Sequence, residues 1–153
     1  MGLKIHLGHT GVPCKVPGDF IENFTIVDTS GIHLVDLQCC GCYGSPGASH
    51  TRIQLLRAGI LPATHIRPAT GFTFDVLDSF HLLTLQSKVS AYDYYLHLKH
   101  KSDNTGTREI KVSGISICGE VNLAADLTVQ YRYKQFLTAV RIWRHLKMVK
   151  RAG

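Results

Sequence analysis

Two short clusters of ligand-type side chains bracket a run of alternating residues, and no other feature restricts the fold of this chain as strongly. The first cluster lies in HLGHTGVPC and holds His9 and Cys14; the second is CCGC, with Cys40 and Cys42. Between them, Phe24-Thr25-Ile26-Val27-Asp28 and Ile32-His33-Leu34-Val35-Asp36-Leu37 alternate around the turn residues Thr29-Ser30-Gly31. Two β-rich runs joined by a short Gly-bearing turn read as a β-hairpin, with Ile32, Leu34 and Leu37 expected on apolar faces. The hairpin brings the two clusters together. An imidazole and three thiols meeting in this way are the usual donor set of a closed, four-coordinate zinc site, so His9, Cys14, Cys40 and Cys42 are expected to hold one structural Zn2+. Gly8 and Gly11 flank His9-Thr10 and allow the backbone to turn tightly there. His6 and His33 stand as alternative ligands or as partners that orient the first set. Cys39 is expected to point away from Cys40 as a spare thiol.

The rest of the chain suits one domain built around that site. At 153 residues it is long enough to bury a core. Its balance of 44% hydrophobic to 18% charged residues is that of a globular protein rather than a disordered one. No apolar run approaches the ~20 residues that span a bilayer, and MGLKIHLGH is too short and polar for a secretory signal. A soluble, intracellular protein with no membrane partner is expected. Three of five cysteines fall within Cys39–Cys42, which suits metal binding in a reducing compartment better than a disulfide framework.

Residues 1–23 read as loop with one short strand at most. Ser49 is a plausible N-cap for a short helix through Arg57, stopped by Gly59. Leu61–Thr64 and Arg67-Pro68 read as extended linkers, because a residue before proline avoids the helical region. From Thr73, Leu77, Phe80, Leu83, Ala91, Tyr94 and Leu98 recur at helical spacing, with a polar break at Ser87–Ser90 that splits them into two helices. Asp103–Gly106 is a stop. Thr107–Gln130 has no clean period, and Tyr133–Lys150 is helical again. Phe80, Tyr94, Tyr95 and Trp143 are expected in the core. The expected architecture is therefore α+β: a zinc knuckle plus β-hairpin, treble-clef-like, with a short helix over residues 1–60, followed by a helical part of the same domain over 61–153.

Charge is uneven. Seven of the seventeen basic residues lie in Tyr131–Gly153, and none of the eleven acidic ones does. Such a block favours an anionic partner, nucleic acid first. Arg141, Arg144, His145, Lys147 and Lys150 are the candidate DNA-phosphate contacts, which would give affinity without reading sequence.

In order, HLGHTGVPC, FTIVDTSGIHLVDLQCCGC, QLLRAGILPAT, FTFDVLDSFHLLTLQSKVSAYDYY and WRHLKMVKRAG resemble the CxC-type cysteine cluster domain associated with fungal KDZ transposases. The resemblance covers Gly2 to about Asn104 and resumes at Tyr131. The family pattern of a histidine in LGH, a cysteine five residues later and a CxC after the hairpin falls on His9, Cys14, Cys40 and Cys42. It implies a zinc-chelating module upstream of a transposase catalytic region, working in the nucleus. A further Cys/His-rich finger before LGH and the catalytic region after KRAG are both expected to be missing here.

The family also lacks Val112–Gln130. Val112-Ser113 and Leu127-Thr128-Val129-Gln130 match translations of an intron that begins GTGAGT and ends CTGAC…CAG. Residues 112–130 are accordingly expected to be a translated retained intron, with Cys118 incidental.

The expected function is a non-catalytic zinc module that contacts DNA or the transposase catalytic domain. The competing readings are a protein–protein interaction scaffold and a decayed transposon relic without activity. No small-molecule substrate is expected. An enzyme would need an open metal position and a nearby acid or base, and only Asp28 and Asp36 lie close in sequence with nothing to pair them.

Overall fold

The computed structural model describes residues 3–9, 12–42, 48–102 and 123–153, with side chains for all of these except 48, 49 and 123–131. The chain is α+β. In order it forms β1 (Leu3–His6), β2 (Pro17–Asp28), β3 (Gly31–Cys40), α1 (Ala48–Arg57), β4 (Ile60–Pro62), β5 (Thr70–Thr73), α2 (Phe74–Gln86), α3 (Ala91–Ser102) and α4 (Leu123–Ala152). The strands make one five-stranded mixed sheet ordered β1-β3-β2-β5-β4.

The hairpin β2–β3 is the centre of that sheet and is longer than the alternation suggests. It runs antiparallel from Asp28↔Gly31 at the turn to Pro17↔Cys40 at the far end, with irregularities between Pro17 and Phe20 and between Ile21 and Phe24. β1 adds to β3 in parallel, from Leu3↔Val35 to His6↔Gln38. β5 adds to the other side of the hairpin, also in parallel, from Thr25↔Thr70 to Val27↔Phe72. β4 closes that edge antiparallel to β5. Pro62 sits on this edge strand, where its missing N–H costs no ladder bond.

Both faces of the sheet centre are covered. On one face Phe24, Ile26, Val35, Leu37 and Cys39 pack with Leu55 of α1, Leu7 and Ile60. On the other, Val27, Ile32 and Phe72 pack with Val76, Leu77 and Phe80 of α2, with Tyr94, Tyr95 and Leu98 of α3, and with Phe136, Val140 and Trp143 of α4. The result is α1, sheet, then the three later helices. Each large side chain fully buried this way contributes about 1.5–3 kcal/mol. Phe136 is the hub of the larger cluster, its ring within 5.3 Å of Phe80 and 5.6 Å of Phe72. The expected core aromatics Phe80, Tyr94, Tyr95 and Trp143 are all buried.

Thr73 caps α2: its side chain accepts from the Val76 N–H while its hydroxyl donates to Asp28 Oδ1. α2 and α3 are split at Ser87–Ser90 as their polar sequence requires, and α1 ends before Gly59, which takes φ +76°. α4 is latched to α2 by Trp143 Nε1 donating to Asp78 Oδ1 at 2.8 Å and by the Lys147–Asp78 ion pair at 2.8 Å.

Several expectations change. Residues 1–23, read as mostly loop, supply β1 and the first seven of the twelve residues of β2. The first stretch read as a linker carries the last two residues of β4, and β5 follows the second, so the part from residue 61 onward is not wholly helical. Leu34 is exposed, and the buried face of β3 is Val35, Leu37 and Cys39, while Ile32 packs on the opposite side. α4 begins at Leu123, so its backbone includes the last eight residues of the suspected insertion; residues 112–122, with Cys118, lie outside the described residues, as does the stop at 103–106.

Candidate metal centre

The four candidate ligands meet at the end of the hairpin remote from its turn. β1 carries the chain alongside β3 until Leu7 N–H donates to Gln38 O at 2.8 Å. Gly8 then takes φ +80° and His9 φ +47°, which swings the chain off the sheet. A Cβ at position 8 would stand 2.8 Å from Cys40 Cβ, so glycine is needed there both for its dihedral angle and for its size. His9 in the left-handed region stores about 1–2 kcal/mol of strain. Non-glycine residues held in this way cluster at functional sites. Cys14 lies in the following loop, just before Pro17 opens β2 opposite Cys40.

Four donor atoms, one each from His9, Cys14, Cys40 and Cys42, lie within 4.8 Å of one another. His9 Nε2 is 3.1 Å from Cys40 Sγ and 3.5 Å from Cys42 Sγ. Cys14 Sγ is 3.4 Å from Cys40 Sγ and 3.2 Å from Cys42 Sγ. Zinc bonds of 2.0–2.3 Å place tetrahedral donors roughly 3.5–3.8 Å apart, so a small adjustment would seat one ion among the four. All four donors are of the nitrogen and sulfur types that such an ion takes, and the residues fit the group. A bound ion would cross-link the β1–β2 loop to the end of β3, and its charge would hold the sulfurs as thiolates.

The electrostatics of the cluster suit that role. The Cys42 hydrogen bond is the largest influence on Cys14 and holds its thiol down at about 6, against an ordinary 9.0. The same bond pushes Cys42 up to about 11. The pair thus readily loses one proton and shares the next, which a divalent cation would displace. The Cys42 backbone N–H also donates to Cys40 Sγ, at 3.4 Å. Cys40 is buried, Cys14 half-buried, and His9 and Cys42 exposed.

The alternative ligands lie elsewhere. His33 is exposed, its Nε2 at 2.9 Å from Ser30 Oγ beside the hairpin turn. Cys39 faces the opposite side of β3, 3.8 Å from Thr51 Oγ1, and burial raises its thiol. His6 is half-buried in β1, with a buried Nδ1 that has no hydrogen-bond partner. The two aspartates near the cluster in sequence serve the fold. Asp36 accepts from the Asn23 N–H, and Asp28 accepts from Ser30 and Thr73.

Two residues at this site escaped the sequence reading. Gln54 Nε2 donates to Cys40 O at 2.7 Å, and Cys40 N–H donates to Gln54 Oε1 at 2.8 Å. His50 Nε2 lies 3.1 Å from the same carbonyl and is the donor there. Thr51 and Gln54 are both buried polar residues three apart on α1, an unusual pair for an inward helix face that only the fold reveals.

The candidate phosphate contacts divide into two groups. Arg141, His145 and Lys150 are exposed on α4, and none has a hydrogen-bonded or ionic partner among the described residues. Arg144 donates to Thr84 Oγ1 at 3.0 Å and lies over the Phe80 ring, while Lys147 pairs with Asp78 and lies over Trp143. No described helix is long and apolar enough to cross a membrane.

Sheet, hairpin and clustered donors together define a cysteine-cluster domain with a candidate metal site in its N-terminal half. The family model described as a CxC2-like cysteine cluster associated with KDZ transposases matches residues 1–106, and the chain belongs to that family. The match takes in the whole sheet, α1, α2, α3 and all four candidate ligands, and stops before α4. No curated protein and no solved structure matches the chain.

Proposed function

We propose that this chain is the non-catalytic zinc-binding module of a KDZ-type transposase, and that its work is to contact DNA or the transposase catalytic region in the nucleus. The observation that carries the metal reading is the convergence of one imidazole and three thiols within 4.8 Å. Zinc is the ion of choice because mixed Cys and His donors at tetrahedral spacing suit it. Four protein donors leave no position for a reactive water, which supports a structural ion rather than a catalytic one. The order loop, hairpin, helix supports the treble-clef-like description, although here α1 contributes Gln54 and His50 beneath a ligand rather than a ligand itself.

Metal analysis of the chain purified in reducing buffer tests this. One zinc per chain is expected, and Cys42→Ser should lose it. Zinc-free, folded wild-type protein would overturn the assignment.

DNA contact is supported by the cations of α4, with Arg141, His145 and Lys150 turned to solvent. A second reading, docking onto another protein, is favoured by exposed Leu82 and Leu85 on α2 and Met148 and Val149 on α4. Salt separates the two. DNA affinity should fall by about 0.9 log units per phosphate neutralised for each tenfold rise in salt, whereas apolar docking should not. The retained-intron reading of residues 112–130 is tested by transcript sequencing across that position.

A further inference from the structure

β3 exposes a problem that β1 creates. Gln38 turns its backbone toward β1, since its carbonyl accepts from Leu7 N–H. Alternation turns the N–H and C=O of Cys40, two residues on, toward the same side. At that point β1 has ended, because Gly8 and His9 take the chain away to bring the imidazole over the sulfurs. The strand that should pair with Cys40 has been spent on delivering another ligand. Cys40 is buried, so its backbone groups need partners from the protein.

The side-chain amide of Gln54 supplies them. It accepts from Cys40 N–H at 2.8 Å and donates to Cys40 O at 2.7 Å, the donor and acceptor pair that one more strand residue would have offered. Gln54 is itself buried in the inner turn of α1. His50, one helical turn earlier, fills the second lone pair of the same carbonyl. Both bonds act on the backbone of the most buried of the four ligands, whose sulfur contacts His9 and Cys14 alike.

We infer that Gln54 is the positioning residue of the metal centre, its amide standing in for the missing strand so that Cys40 Sγ is held at coordination distance before an ion arrives. The inference rests on the metal reading above and adds to it a specific residue and task. Partners that orient a ligand from outside the coordination sphere set how tightly an ion is kept.

The test uses the whole chain loaded with zinc or cobalt. Gln54→Met keeps the length and burial of the side chain and removes both hydrogen bonds. Leu55→Ala serves as the control, since Leu55 is fully buried in the adjacent core cluster, to which Cys40 does not belong. Zinc transfer to an excess of a coloured chelator should be about ten- to hundredfold faster from Gln54→Met, and the visible bands of its cobalt form should shift at saturating metal. Leu55→Ala should melt earlier with cobalt bands at wild-type positions. A role in stability alone would move the melting temperatures of both variants and the cobalt spectrum of neither, and that result would overturn the inference. Should Gln54→Met fail to fold, His50→Ala removes a donor from the same carbonyl at a half-buried position; it should release zinc about threefold faster, and a wild-type rate would overturn the inference. Wild-type chain that gives no cobalt–thiolate absorption would overturn the metal reading itself. Normal wild-type binding with an unaltered Gln54→Met would overturn only the role of Gln54.

Discussion

The Thr73 hydroxyl donates to Asp28 Oδ1 at 2.8 Å, tying the turn of the central hairpin to the first turn of α2 across 45 residues of chain. Partial burial by itself would raise the Asp28 carboxyl, but the bonds from Ser30, Thr73 and the Ser30 and Thr29 backbone outweigh it and hold it at about 2. A carboxylate depressed below its ordinary 3.8 stabilises the folded chain above that value, and the contribution disappears as pH falls toward about 2. Asp28→Asn should therefore cost about 1 kcal/mol at neutral pH, after allowance for solvent screening. Urea melts at neutral pH and near pH 2 (about the native pKa) should show the gap between wild type and variant closing in acid.

Removal of the ligands should follow burial. Serine at Cys40 loses a metal donor and leaves a polar group in a buried position, whereas Cys42 is exposed. Both variants should lose zinc, but Cys40→Ser should be the less stable by roughly 1–2 kcal/mol in metal-free buffer. Denaturant midpoints recorded with and without a strong chelator would show it. Wild type should lose stability on chelation, and the two variants should not.

Gly8→Ala places a methyl group 2.8 Å from Cys40 Cβ at a φ of +80°. Either the strand end or the His9 loop must shift. We expect a cost of about 1–2 kcal/mol from the dihedral angle, and weaker zinc binding from the displaced Cys40. Competition titration against a chelator of known affinity measures the second effect.

The α2–α4 latch should divide unequally. Asp78 and Lys147 are partly open to solvent, with side-chain exposures of 40% and 34%, so a double-mutant cycle on the pair should return only about 0.5–1 kcal/mol. Trp143→Phe removes the indole donor to Asp78 and part of the ring contact with Phe74, and should cost more, about 2 kcal/mol.

If α4 meets DNA, its cations should not contribute equally. Arg141→Ala and Lys150→Ala should each weaken binding and flatten the salt dependence by about one phosphate, because these side chains are exposed without partners among the described residues. Lys147→Ala should act more on stability, since Lys147 is already engaged with Asp78. Fluorescence anisotropy on a labelled duplex at several salt concentrations separates them.

The hairpin and the cluster of four possible donors were legible because their signals are local. Alternation, a glycine turn and closely spaced donors can be read without knowing what lies across the sheet. β5 could not be read in this way. Its four residues, TGFT, owe their extended form to Thr25–Val27 alongside and are covered on both sides, so no alternation marks them. Leu34 misled for a related reason: the buried side of β3 changes along its length, from Ile32 against α2 and α3 to Val35 against α1. Gln54 stayed hidden because its partner is a backbone group, and backbone need depends on where a neighbouring strand stops.

His9 and Cys14 precede the hairpin, whereas Cys40 ends its second strand and Cys42 follows it. During synthesis, then, the first half of the cage leaves the ribosome well before the second. A nascent chain halted ahead of Cys40 has only two donors to offer and should exchange zinc freely; one extended through α1 should retain it. If the site takes zinc, ion retention would thus serve as a clock for closure of the ribbon.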